Sequence, residues 1–435
     1  MSSPLGTPEP VGLPADHALR GTLAEELHAR PPVPVEAPST VGFLALTEAP
    51  LADVLAALRT LGAAAGLDGG DPPHGITSVG GVTVKWEQHG EFVTLLVVRR
   101  LDRREAGSTE APPSAFSALP GGWLERLPGR TLAAGDVLVL AGDRAAAPAT
   151  LDALFDPESI AGSGLAGGTA WAYTDFRLHD GRTRWLVIDA EPHALTTARH
   201  VQRITEIDVY RMTALLGFPV ARAAFPALAR IESELERITA ATAALPAGGS
   251  AHDEERALLQ QLTKVAAEVE RRHAANAFRF GASEAYWNIV RSRLADLHEE
   301  RLPGLRTLSG FLMRRLAPAM ESCAAAARRE EHLSARVERA SALLRTRVDV
   351  AREEQNQRIL AAMERRGKLQ LRLQQTVEGL SLVAITYYAV GLLSWLLKPL
   401  GDRVPAGAIV AAAIPVLGLA GLAVMRRARR RHAAD

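Results

Sequence analysis

Two apolar segments close the chain, and they restrict its fold more than any other feature. Residues 377–397 and 404–425 carry one charged side chain between them, Glu378, and the short stretch KPLGDR separates them. At 1.5 Å per residue, a helix of about 21 residues spans roughly 31 Å, close to the roughly 30 Å hydrocarbon core of a bilayer. Pro399, Gly401 and Pro405 predict a turn between the helices. The pattern therefore predicts a transmembrane hairpin, and the alternative is a buried hairpin in a soluble protein.

Basic residues flank this hairpin. Five arginines follow the second segment: Arg426, Arg427, Arg429, Arg430 and Arg431. Four basic residues precede the first segment: Arg365, Arg366, Lys368 and Arg372. In the connecting stretch Lys398 and Arg403 are offset by Asp402. The positive-inside rule then predicts that both termini are cytoplasmic, and the basic tail is expected to contact anionic lipids rather than nucleic acid.

Composition excludes several kinds of site. Lys and Arg number 50 against 49 Asp and Glu, so net charge does not indicate a nucleic-acid partner. Cys323 is the single cysteine, which excludes an intramolecular disulfide and any multi-cysteine metal site. It is interpreted as a small packing residue of an Ala-rich helix. The N-terminus lacks the apolar run of a signal peptide, the 12 histidines do not cluster at ligand spacing, and no nucleophile–base pair or phosphate loop indicates an enzyme.

Periodicity divides the rest of the chain into a mixed part and a helical part. Strand-like alternation predicts a strand at 41–46, a hairpin at 82–86 and 92–96, a strand at 137–140 and a second hairpin at 170–177 and 184–188. Helical spacing predicts helices at 16–29, 51–65, 195–245, 252–275 and 283–301, then a very long run from about 304 in which Pro318 introduces a kink.

These elements predict an α+β fold with a mixed α/β domain, a long-helix stalk and two C-terminal transmembrane helices. The predicted boundaries are an N-terminal arm (1–37), the α/β domain (38–193), a helical bundle and stalk (194–376), the membrane hairpin (377–425) and a basic tail (426–435). Apolar residues recur at helical spacing from Leu333 to Val377, interrupted by the polar stretch REEQNQR (352–358). Such a stripe is typical of coiled-coil packing, and we expect a homo-oligomer.

The stretch GSGLAG (162–167) matches the dinucleotide pattern G-x-G-x-x-G literally. That fingerprint requires the glycines to open a helix. Here a predicted strand follows, so we interpret the stretch as a flexible turn and expect no nucleotide cofactor.

Two sets of polar residues are candidate sites. The first surrounds the N-terminal helix: His17, Arg20, Glu26, His28 and Arg30. These residues either bind a ligand or cation, or they form salt bridges that dock the helix on the α/β domain. The second lies on the first apolar segment: Gln374, Glu378, Ser381, Tyr388 and Trp395. Four of its members repeat every seven residues, so they share a helix face that lines a pore in a homo-oligomer, or else anchors the hairpin at the interface.

Several long stretches carry a resemblance to a known family. They are HALRGTLAEELHARPP (17–32), KWEQHGEF (85–92), TDFRLHDG (174–181), VQRITEIDVYRMTALLGFP (201–219) and the run from 343 to 393. The chain resembles, nearly end to end, the bacterial family called domain of unknown function 3422, described as membrane-anchored proteins. The resemblance implies a location in the bacterial inner membrane and brings no activity or catalytic residue.

The order of elements is also similar to that of CorA-type divalent-cation channels. Those channels join a cytoplasmic α/β domain to a long helix, two C-terminal spans and a basic tail, and they assemble as pentamers around the first span. Their Gly-Met-Asn signature is replaced here by Leu400, Gly401 and Asp402. This layout implies a homo-oligomer that passes or senses a divalent cation, with no other cofactor; the alternative is a non-transporting scaffold or sensor that holds a ligand-binding domain at the membrane.

Overall fold

The computed structural model describes residues 14–26, 31–62, 70–106, 111–246, 252–398 and 406–432. The strands are β1 Ser39–Thr47, β2 His74–Val79, β3 Val82–Gln88, β4 Phe92–Arg100, β5 Arg130–Ala141, β6 Ala161–Leu165, β7 Ala170–His179, β8 Arg182–Asp189 and β9 Glu300–Arg301. The helices are α1 Arg20–Glu26, α2 Leu51–Arg59, α3 Arg103–Ala106, α4 Ala147–Leu154, α5 Ala194–Leu215, α6 Gly217–Ala244, α7 His252–Asp296, α8 Leu308–Arg315, α9 Ala317–Leu397 and α10 Ala406–His432. The mixed α/β class with long helices is confirmed.

The chain divides into two compact units. The first unit comprises Met1–Glu236 and Lys264–Glu338, and the second comprises Arg237–Thr263 and Arg339–Asp435. The long helices α6, α7 and α9 contribute residues to both units.

One mixed sheet organises the first unit. Its strand order is β2-β3-β4-β1-β5-β8-β7-β6-β9. β5 pairs with β8 in parallel, and the other named pairs are antiparallel. The two halves of the sheet therefore meet where β1 lies beside β5.

Both faces of the sheet are covered, because neighbouring residues of each strand enter different cores. On β1, Phe43 packs with α5 and the later helices, whereas Leu44 packs with α2. On β8, Trp185 joins the first of these cores and Leu186 joins a third core beneath α4. The unit is thus a three-layer sandwich, the arrangement that buries the apolar residues of both sheet faces.

Close packing requires a glycine at one position of the edge strand β2. The indole ring of Trp86 is fully buried, and its Nε1 donates to the Pro72 carbonyl at 3.0 Å. A Cβ at Gly75 would overlap that ring. Glycine at this position therefore allows β2 to pair with β3.

The predicted strands and hairpins are confirmed, with two corrections. β2 was not predicted, because its sequence HGITSV alternates poorly and it lies at the sheet edge. The interpretation of GSGLAG as a turn is wrong for Gly162 to Leu165, which form β6, and only the residues from Ala166 turn the chain. Gly162 packs against Tyr173 of the next strand, so this glycine permits close strand packing.

Three helix boundaries also differ from prediction. The helix predicted at 195–245 is divided after Leu216, where Gly217 and Pro219 begin α6, since proline fits the first turn of a helix. The helices predicted at 252–275 and 283–301 are one helix, α7, because buried Phe280 and Ser283 hold it on the core through Gly281. This helix ends at Asp296, and Glu300 and Arg301 form strand β9. The long run predicted from about 304 is helical from Leu308, and it is interrupted at Leu316, two residues before Pro318, where α8 ends and α9 begins.

Candidate functional site

Three helical segments among the described residues are long and apolar enough to cross a membrane. They are Ala194–Ala244, Leu308–Leu397 and Gly407–Arg427. In the first, 33% of the most apolar window is buried inside the protein, whereas none of the corresponding window is buried in the other two. The first segment contributes the fully buried Ile204 and Ile207 to the core, so part of its apolar surface is covered by protein.

The last part of α9 and α10 contact each other along one face. On α9 the less exposed positions include Glu378, Leu382, Thr386 and Leu393. On α10 they recur every three or four residues, at Val410, Ala413, Leu417, Gly421 and Met425. A Cβ at Gly421 would overlap the Leu382 side chain, so a glycine allows the two helices to approach closely here.

The remaining faces of both helices expose large apolar side chains. Leu380 is 75% exposed and Leu396 is 69% exposed on α9, while Leu419 is 66% exposed on α10. Water is a poor solvent for such a surface, and exposed patches of this kind mark a surface that meets lipid or protein.

The predicted polar face of the first span is formed in part. Gln374, Ser381, Tyr388 and Trp395 are all exposed, away from the α10 contact. Glu378 lies between this face and the α10 contact, and its Oε1 accepts a hydrogen bond of 3.2 Å from Gln374 Nε2. The structure thus places Gln374 and Glu378 together, and it leaves the other three on a surface that α10 does not cover.

Of the predicted N-terminal polar cluster, the structure describes the side chains of His17 and Arg20. Arg20 pairs with Asp16, and His17 Nδ1 accepts from the Leu19 amide at 3.2 Å, all at exposed positions. His28, Arg30 and the Glu26 side chain lie outside the described residues. These contacts are local to the start of α1, and the site at the N-terminal helix stays a prediction.

The basic tail continues α10 as a helix. Arg426 and Arg427 are exposed on α10, directly after the apolar stretch. The backbone of Arg429, Arg430 and Arg431 is also helical within Ala406–His432, and their side chains lie outside the described residues.

A further candidate site was not identified from the sequence: a cleft of about 70 Å³ between strands β3 and β4 and helix α5. Lys85 is 7% exposed at its base. Its Nζ donates to the Pro31 carbonyl at 3.0 Å and lies 2.7 Å from Glu87 Oε1. His89 Nε2 and Thr94 Oγ1 are 3.2 Å apart at the same edge. The cleft therefore presents an ammonium–carboxylate pair and an imidazole beside apolar walls.

Two tyrosines next to the cleft remain protonated. Burial, followed by the carboxylates of Glu206 and Glu87, raises the pKa of the Tyr210 hydroxyl well above its ordinary value. Burial and the Glu91 carboxylate raise the pKa of Tyr286 to about 12. The two rings stack with centroids 5.6 Å apart. Both hydroxyls are thus neutral hydrogen-bond donors at physiological pH.

Charged pairs hold the cleft walls in position. Arg279 of α7 binds Glu91 with two hydrogen bonds of 2.6 and 2.8 Å, and Glu206 of α5 pairs with Arg293. A bidentate arginine–carboxylate pair fixes both distance and orientation. At about 70 Å³ the cleft has room only for a very small polar ligand held by hydrogen bonds and apolar contact. Among the described residues, no three His, Cys, Asp or Glu side chains converge closely enough to hold a metal ion.

The sequence contained one signal for this cleft. β3 alternates Val82, Val84 and Trp86 on one face with Lys85 and Glu87 on the other. Such alternation normally places the charged face in water. Here α5 covers that face, so the two charges are enclosed. Three of the stretches that carry the family resemblance each contribute a residue to the cleft, for example Pro32, Lys85 and Tyr210.

One family model matches the chain over residues 15–432, and its description is "Protein of unknown function (DUF3422)". A search of curated proteins finds no match.

Proposed function

We propose a membrane function for this chain, which belongs to the DUF3422 family of proteins of unknown function. It is an inner-membrane homo-oligomer of CorA-like layout, in which the first span of each copy contributes a polar face to a path for a divalent cation. The observation that carries the proposal is the polar stripe of α9, which α10 leaves uncovered.

The exposed apolar faces support membrane insertion. Leu, Ile and Val near the centre of a membrane helix each favour insertion by about 0.3–0.6 kcal/mol. The segments that end at Leu397 and Arg427 present many such residues and bury none of their most apolar window. In Ala194–Ala244, by contrast, 33% of the most apolar window is buried, and residues such as Ile204 and Ile207 pack in the core of the first unit, so we do not assign this segment as a span. The proposed protein therefore has two spans.

The basic residues support the orientation. Arg426 and Arg427 follow the second span at exposed positions of α10. Translocating such residues is disfavoured, so both termini remain in the cytoplasm, where the arginines contact anionic lipid headgroups.

The polar stripe supports assembly from several copies. In a single hairpin, Ser381 and Tyr388 would face hydrocarbon, where a polar group without a partner is unfavourable. A neighbouring copy supplies partners, and a ring of copies encloses the stripe together with Glu378. Carboxylate and side-chain oxygen atoms suit a hard divalent cation such as Mg²⁺, which retains most of its water.

The mass of the purified full chain in detergent is the first test. A closed ring, with five copies expected from the CorA-like layout, supports the proposal. A monomer contradicts it, because one two-span hairpin cannot enclose a path.

Flux of Mg²⁺ into liposomes is the second test. Glu378→Gln and Ser381→Leu should reduce flux strongly without changing the mass of the assembly. Val383→Leu is the matched control, since Val383 is 68% exposed on the opposite side of the same span. Equal flux in all four proteins, or none in the wild type, would refute the transport function.

The cleft favours a second candidate, a membrane-tethered sensor that does not transport. Its enclosed Lys85 and Glu87 suit a small polar ligand. This function predicts no Mg²⁺ flux. It also predicts slower amide exchange in β3, β4 and α5 on addition of a cytoplasmic small-molecule extract, an effect lost in Lys85→Met. Unchanged exchange in the wild type would exclude it.

A further inference from the structure

A second depression lies in the first unit, away from the cleft. It is a groove of about 370 Å³ between α7 and α9. Phe280, Trp287 and Met320 form an apolar wall, and Phe280 and Met320 are buried. A groove of this size accommodates a small organic molecule with an apolar body.

A buried carboxylate lines this groove. Glu330 of α9 is 1% exposed. Its Oε1 accepts a hydrogen bond of 2.7 Å from Asn276 Nδ2. Its Oε2 is buried and receives no hydrogen bond from the described residues, and His273 Nδ1 lies 4.0 Å away, beyond hydrogen-bond reach. A buried carboxylate oxygen without a donor is unfavourable, so the site favours a ligand that brings a charged N–H group.

The rim of the groove is acidic as well. Glu284, Glu321 and Glu331 lie around it at exposed positions, and Arg291 is the one lysine or arginine among the described residues that line it. The lining therefore attracts cations, and its charges extend from the buried Glu330 to the surface.

We propose that this groove binds a linear diamine or polyamine. One ammonium group donates to Glu330 Oε2, the methylene chain lies against Phe280 and Met320, and the Trp287 ring adds a cation–π contact. A second ammonium group meets the carboxylates of the rim. This binding is independent of the proposed transport.

The donor set favours an amine over a metal ion. A bound divalent metal takes several protein oxygen or nitrogen ligands at about 2.0–2.6 Å. The described residues do not bring three such acidic, histidine or cysteine groups together here. An ammonium group needs one carboxylate and few other acceptors, and the apolar wall suits its carbon chain.

Calorimetric titration of the full-length protein in detergent tests this proposal with three compounds of similar length. Putrescine carries two ammonium groups, butylamine carries one, and butanol carries none. We expect putrescine to bind more tightly than butylamine, and butanol to show no binding. Glu330→Gln should weaken putrescine binding by roughly ten- to a hundredfold, since a hydrogen bond to a charged group is lost.

Matched variants separate the groups involved. Glu338→Gln removes an exposed carboxylate of the same helix outside the groove, and it should leave affinity unchanged. Trp287→Leu should weaken both amines several-fold. The Glu330→Gln variant lacks a buried charge. It should therefore fold, and its melting temperature should be at least equal to that of the wild type.

The alternatives give different results. Absence of putrescine binding to the wild type, equal affinity in Glu330→Gln, or equal binding of butanol would each overturn the proposal. Tighter binding of Mg²⁺ that displaces putrescine and depends on Glu330 would assign the groove to a metal instead. If Glu330→Gln fails to fold, the ranking of the three compounds and the effect of Trp287→Leu decide the question.

Discussion

Replacing Arg347 with methionine should destabilise the junction of α6 and α7 in the second unit by about 3 kcal/mol. Arg347 Nε lies 2.9 Å from Glu255 Oε1, and its two terminal nitrogens donate to the carbonyls of Thr242, Leu245 and Pro246 at 2.8–3.1 Å. One guanidinium thus satisfies a carbonyl in the last turn of α6, the two carbonyls that directly follow this helix, and a carboxylate in the first turn of α7. No neutral side chain of similar length replaces these contacts.

The expected loss of stability follows from the burial of the Glu255 carboxylate. The Glu255 side chain is 5% exposed, and removing the partner of a buried charge costs roughly 3–5 kcal/mol. The Arg347 side chain is 32% exposed, so water partly screens the pair and the lower end of that range applies. The α6 carbonyls lie at a helix end and can be hydrated, which limits their contribution.

Amide hydrogen exchange of the full chain measures this local effect. For exchange through local opening, about 3 kcal/mol corresponds to roughly a hundredfold faster exchange at the end of α6 and the start of α7. Arg345→Met, at an exposed position of the same helix, is the control and should change stability by no more than about 0.5 kcal/mol.

A double variant tests the physical reason. If the cost arises mainly from the isolated Glu255 charge, Glu255→Gln introduced with Arg347→Met should restore part of the lost protection. Exchange in Arg347→Met equal to that of the control, or a double variant less protected than Arg347→Met alone, would refute the reasoning.

Two further predictions concern the first unit. Gly75→Ala should destabilise it by about 1–3 kcal/mol, since the new methyl overlaps the fixed Trp86 ring, whereas Gly90→Ala meets open space and serves as the control; equal thermal melts would contradict this. Burial lowers the pKa of His200, so as pH falls below about 6.5 the unfolded state takes up a proton first and the stability that neutral His200 contributes is lost. The melting temperature of the wild type should therefore fall more between about pH 7.5 and pH 5.5 than that of His200→Gln, and equal losses would exclude this contribution.

Sequence periodicity predicted the strands because each has a strongly apolar face. Val82, Val84 and Trp86 of β3 are all buried, as their alternation indicates. Periodicity failed at β2, whose residues are mostly small or polar. It also failed at the centre of α7, where a glycine suggested that the helix would break. The helix continues there because Phe280 and Ser283 pack on the core.

The sequence indicates whether a polar side chain is exposed or covered only where neighbouring residues in the chain decide it. Arg426 and Arg427 follow the apolar run directly, and their exposure needed no tertiary information. The cleft required knowledge that α5, more than a hundred residues after β3, covers Lys85 and Glu87. Glu330 shows the same difficulty, because its neighbour Asn276 comes from a different helix.

The stripe on α9 and the charged face of β3 are the same kind of signal, namely polar residues placed opposite an apolar face. On β3 the second face is covered by α5 of the same chain, and the charges there are paired. On α9 the hairpin partner α10 contacts the side that carries Leu382, and Ser381, Tyr388 and Trp395 stay exposed. If the hairpin spans a bilayer as proposed, Ser381 in hydrocarbon requires a hydrogen-bond partner, which α10 does not supply. Gln374 precedes the span and donates to Glu378 of the same chain. Under the proposed function, the partner of Ser381 is a lipid headgroup or another copy. Ser381 and Tyr388 would lie about one to three turns inside the proposed span, which is why the proposal assigns their partner to a second copy.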